Sequence, residues 1–108
     1  VTDVAPDGTA MILTSGYMRA SHREWDVMQS KPAEPWISNV RALPVWTNVP
    51  IRYRIDIWPT AATIAAGHRL RIAIASSDVP NHEPLVQVAR NTIHHDDLYP
   101  STLTVTTR

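Results

Sequence analysis

Hydrophobic and polar residues alternate most regularly between Ile51 and Ile74. Ile51, Tyr53, Ile55 and Ile57 interleave with Arg52, Arg54, Asp56 and Trp58. Leu70, Ile72 and Ile74 interleave with Arg69, Arg71 and Ala73. A period of two predicts two strands, each with an apolar inner face. The connector "PTAATIAAG" is too short and too β-branched for a stable helix, and Gly67 restarts the second strand. Paired as a hairpin, the strands put Arg52, Arg54 and Asp56 on one outer face with Arg69 and Arg71. Solvent, or a partner surface with carboxylates, must meet that face.

The rest of the chain reads as further short strands. "VTDV" and "TAMILT" flank Pro6-Asp7-Gly8. Proline presets φ at the second position of a turn, aspartate suits the third, and glycine accepts a left-handed conformation after it. A β-hairpin is expected there, followed by "SGYMRASHR" with a bulge or bend at Gly16. Residues 24 to 50 lose all periodicity and contain Pro32, Pro35, Pro44 and Pro50, which exclude a long helix or a long central strand. A long surface loop is expected, carrying Trp25, Trp36 and Trp46; a loop of that length usually serves a function or packs on something else. "SSDVPNHEPLVQ" reads as a polar, proline-broken loop, and "VARNTIHHDD" and "STLTVTT" as the last two strands. Many short strands with Pro/Gly turns argue for an all-β chain, a β-sandwich or jelly roll. The β-favouring opening without an initiator methionine predicts that residue 1 lies inside a strand of a longer polypeptide.

Composition narrows the function classes. The 108 residues suit one domain, and a formal net charge of zero leaves no electrostatic footprint for nucleic acid or an anionic membrane. The absence of cysteine removes disulfides, zinc–thiolate sites and thiol nucleophiles. No apolar run approaches the roughly 20 residues of a membrane-spanning helix. The compartment stays open, cytoplasmic or secreted.

Candidate chemistry is sparse. His94, His95, Asp96 and Asp97 are metal-ligand types, but neighbours on a strand point to opposite faces, so one histidine can at best pair with an aspartate two positions on. His68, His82 and Glu83 cannot be joined to them from spacing. Ser, His and acid residues are present, but the G-x-S-x-G elbow is not, and Gly8, Gly16 and Gly67 all fall at turns or bends. No catalytic residue, metal or cofactor is therefore expected. The tryptophans admit a carbohydrate-binding module, because flat indoles stack on sugar rings. They more often cover a core or a domain interface.

Three stretches carry a family resemblance. "DVAPDGTAMILTSGYMRASHR" resembles the pattern D-V-x-P-D-G-x-A, an apolar strand, then L-x-x-G-x-x-R-A. "IDIWPTAATIAAGHRLRIAIASSDVP" is similar to D-x-x-P-T-A, a spacer, G-H-R-L-R-[LI] and I-A-S-S-D-x-P, and "HHDDLYPSTLTV" to a closing H-D-x-x-x-P-S-x-L-x-[LV]. On these motifs the chain is identified as a member of the C-terminal domains of X-Pro dipeptidyl-peptidases and of the cocaine esterase-like and α-amino acid ester hydrolases. Two departures stand out: "NHEPLVQVARN" is shorter than the corresponding family loop, and the strands that normally precede D-V-x-P-D-G are missing.

The resemblance implies a jelly-roll β-sandwich, galactose-binding-domain-like, of which residues 1–108 form only the C-terminal part. It implies a serine hydrolase with dipeptidyl-peptidase or esterase activity as the parent, with Ser-His-Asp on a separate α/β-hydrolase domain. This chain would pack on that domain and help wall its substrate site, with no catalysis of its own. The expected interface residues are Trp25, Trp36, Trp46, Trp58, His68 and Arg69, and His68 and Arg69 are expected to pair with an acid across the sheet or on another domain. An incomplete sandwich also exposes an edge and an apolar face, so self-association is expected.

Overall fold

The computed structural model describes residues 1–83 and 88–107; the end of the predicted loop, at 84–87, lies outside them. The described residues form an all-β chain without a helix. Its strands are β1 (Thr2–Val4), β2 (Ala10–Ile12) and β3 (Arg69–Arg71). They make one open antiparallel sheet in the order β2-β1-β3. Thr2, Asp3 and Val4 stand opposite Ile12, Met11 and Ala10 on one side and Arg71, Leu70 and Arg69 on the other. Two compact units, Val1–Ile72 and Ala73–Arg108, divide the chain, and the sheet belongs to the first.

The first hairpin follows its turn chemistry. Gly8 N–H donates to Ala5 O at 2.9 Å, and Ala5 N–H donates to Thr9 O at 2.8 Å. Pro6 and Asp7 occupy the central turn positions and Gly8 follows with φ of 89°. This is a turn closed by a left-handed residue, a common three-residue hairpin loop. Asp7 fixes the exit by accepting the Thr9 N–H at 2.8 Å. Gly67 plays the same left-handed role, φ 83°, in the turn that delivers β3, where His68 N–H donates to Ala65 O at 3.1 Å.

The predicted hairpin between 51–58 and 69–74 does not form among the described residues. β3 pairs with β1 instead, and residues 51–58 carry no ladder. The end of that stretch runs beside Thr14–Gly16: Trp58 N–H donates to Ser15 O at 3.0 Å and Thr14 Oγ1 donates to Trp58 O at 2.6 Å. Gly16 makes the approach possible. A Cβ there would overlap the Asp56 carbonyl oxygen and stand 3.0 Å from Ile57 Cα. Its expected bulge is thus a site of backbone contact.

The proline-rich stretch is more ordered than a loop. Asp26 N–H donates to Trp36 O and Ser38 N–H donates to Glu24 O, which folds 24–38 back on itself. Lys31 and Glu34 exchange both backbone bonds across Pro32-Ala33. The next segment is pinned by Leu43 N–H on Ser21 O and by the Arg23 guanidinium, which donates to Ala20 O and Pro44 O. In the second unit no strand occurs among the described residues, so the strands expected at 88–97 and 101–107 are absent there. A strand persists only where a neighbour supplies its ladder, and among the described residues these segments have none. Val4, 1% exposed, is the one buried hydrophobic side chain among the described residues.

Candidate domain interface

The tryptophans divide into one that is held and three that are open. Trp25 is half-buried beneath Arg54, whose guanidinium carbon lies 3.5 Å from the ring centroid. At that distance the cation is attracted to the ring face. The flanking acids brace the same stretch. Glu24 takes the Arg41 guanidinium through both carboxylate oxygens, the closest contact being 2.6 Å. Asp26 accepts the Met28 and Gln29 N–H groups. The Arg41 bonds hold the Glu24 carboxyl below its ordinary value, and the backbone donors do the same for Asp26. By contrast Trp36, Trp46 and Trp58 are 53%, 64% and 63% exposed.

His68 finds its acid across the sheet. Its Nδ1 lies 3.0 Å from both oxygens of Asp3, with the side chains 26% and 10% exposed. A carboxylate only accepts, so Nδ1 carries the proton and donates. The pairing obeys the register: Asp3 stands opposite Leu70, and His68, two residues earlier, shares that face. Arg69, on the other face, is exposed and has no ion pair among the described residues. The sequence named the class of His68's partner but not Asp3, whose place in "VTDV" gave no sign of it.

In the second unit His94 Nδ1 lies 3.5 Å from Asp96 Oδ2, and Asp96 accepts the Leu98 and Tyr99 N–H groups. Those donors lower the Asp96 carboxyl. The histidine thus pairs two positions on, within a turn. Asp78 Oδ2 similarly meets His82 Nδ1 at 3.0 Å. Among the described residues no three His, Cys, Asp or Glu side chains gather as a metal would require. A cleft of about 290 Å³ is lined by Tyr17, Met18, Arg19, His22, Ile37 and Asn39. His22 Nδ1 is 3.0 Å from Ser21 Oγ, its sequence neighbour, and the cleft holds no carboxylate to complete a triad.

These residues define an all-β module whose polar groups serve turns and strand pairing and whose large apolar side chains face outward. The chain belongs to the X-Pro dipeptidyl-peptidase C-terminal non-catalytic domain family, whose model matches residues 1–104. It is also similar to two mycobacterial proteins, the "putative serine esterase" of Mycobacterium bovis and one of the same name from Mycobacterium tuberculosis. Each is 33% identical over 104 residues, a match covering 85% of this chain and 16% of the relative. The chain therefore spans about a sixth of those proteins. No solved structure matches.

Proposed function

We propose that residues 1–108 are an accessory β-domain, or the C-terminal portion of one, in a serine acyl hydrolase that cleaves an ester, amide or X-Pro peptide bond. The module packs on an α/β-hydrolase domain of the same longer polypeptide and helps shape its substrate site, and the complete fold is a jelly-roll sandwich. The observation that carries this reading is the inverted apolar distribution: Val4 is buried while Trp36, Trp46 and Trp58 stand open. Large exposed apolar surface marks an interaction site, and Trp is prominent among residues that dominate interfaces. The same three indoles, with Arg69, are the contact residues. Trp25 and His68 are engaged within the chain, by Arg54 and Asp3.

Oxidative footprinting of the full-length polypeptide, read by peptide mass spectrometry, tests the packing. Trp36, Trp46 and Trp58 should oxidise several-fold more slowly in the native protein than after unfolding in urea. Oxidation at the unfolded rate would contradict it. The exposure of these indoles also suits an independent carbohydrate-binding module. That reading requires a change in tryptophan fluorescence on titration with oligosaccharides, and a flat response removes it.

A further inference from the structure

The ladder leaves one side of β3 open. In an antiparallel sheet a residue turns its N–H and C=O toward one neighbour, and the next residue turns both the other way. Ala5 N–H donates to Thr9 O and Leu13 N–H donates to Val1 O, so the odd-numbered residues of the first strand face β2. Thr2 and Val4 therefore face β3, opposite Arg71 and Arg69. The backbone groups of Arg69 and Arg71 are directed at β1. Those of Leu70 and Ile72 point outward, where the sheet has no further strand among the described residues.

The side chains give this edge a sign. Arg69 and Arg71 stand on one face, about 7 Å apart along the strand. Neither guanidinium has a partner among the described residues. Arg41 is occupied by Glu24, Lys31 by Glu34, Arg23 by two carbonyls and Arg54 by Trp25, whereas Arg19 and Arg52, which lie outside the sheet, resemble Arg69 and Arg71 in having no such partner among the described residues. The local acids are also taken, except Asp56. A second copy of β3 does not fit the edge, because antiparallel self-pairing sets arginine against arginine, and like charges directly opposite are destabilising.

We propose that β3 is a strand-addition site. Its occupant is an extended polypeptide segment from outside these 108 residues, with carboxylates at alternate positions. Its backbone pairs with Leu70 and Ile72, and its carboxylates meet Arg69 and Arg71. Main-chain bonds hold such a strand and the alternate side chains select it. The accessory-domain role would stand even if this edge were unused.

Calorimetric titration of the chain with an extended hexapeptide alternating Glu with Val or Thr tests this. Its counterpart with Lys in place of Glu, and an acidic peptide N-methylated along the edge that faces Leu70, complete the set. The acidic peptide should bind about tenfold more tightly than the lysine peptide, since charge complementarity sets partner choice. N-methylation should abolish binding. The double variant Arg69→Glu/Arg71→Glu should reverse the preference, which also shows that it is folded. If that variant binds neither peptide, Arg69→Lys/Arg71→Lys decides, and it should keep the acidic preference. No binding of the acidic peptide, equal binding of both charges, binding that survives N-methylation, or a lysine variant without preference would each overturn the proposal.

Discussion

At the residue scale, the glycines and the Asp3–His68 pair make the sharpest commitments. Gly8 has open space around its absent Cβ, so Gly8→Ala meets only the strain of a left-handed backbone, about 1–2 kcal/mol. Gly16→Ala forces a methyl group into the Asp56 carbonyl and must push apart the backbone segments that Thr14 and Trp58 join. Overpacking of that kind costs about 1–3 kcal/mol, and here it adds the loss of those bonds. The expected order of urea midpoints is wild type, then Gly8→Ala, then Gly16→Ala; the reverse order of the two variants would contradict the close approach. His68→Ala leaves the mostly buried Asp3 carboxylate without its donor, which should destabilise the fold by about 1–3 kcal/mol. An unchanged midpoint would mean that the pair does not anchor β3.

At the element scale, local turn chemistry was legible in the sequence and strand pairing was not. Pro6-Asp7-Gly8 states its turn because proline fixes φ, aspartate bonds the backbone two residues on, and glycine accepts a positive φ. Gly67, expected at a turn or bend, sits in one with φ of 83°, an angle that glycine adopts without a Cβ penalty. The pairing of β3 with β1 was hidden, because alternation reveals which face a residue shares but not which strand lies beside it. The fold-back of 24–38 was missed because prolines mask a narrow antiparallel excursion that places them at its turn. Of the candidate interface, the tryptophans were visible as residue types. Their division into one stacked and three open depended on Arg54, more than twenty residues from the loop position it covers.

That fold-back rests on Glu24 and Asp26, which gives it an acid limit. Both carboxyls have folded-state values below the ordinary 4.5 and 3.8. A depressed carboxyl contributes stability that is present above its unfolded value and is lost as pH falls through the folded one. Asp7 and Asp96 shift the same way through backbone donors. Trp25 lies between the two acids of the fold-back and reports on them. Its emission should hold steady from neutral pH down to about 5 and change below about 4. A transition centred near pH 6 to 7 would contradict this origin.

On the scale of the whole molecule, the apolar surface and the family agree. The chain buries Val4 and leaves three indoles open, which suits the proposed docking against another surface. Its family is a non-catalytic domain of peptidases, and its mycobacterial relatives extend far beyond the matched region. The central claim is that the chemistry resides outside these residues. The most direct test treats the full-length native polypeptide with a fluorophosphonate probe and maps the labelled serine by peptide mass spectrometry. The account predicts one labelled serine, outside residues 1–108. Label on any serine of this chain would contradict it.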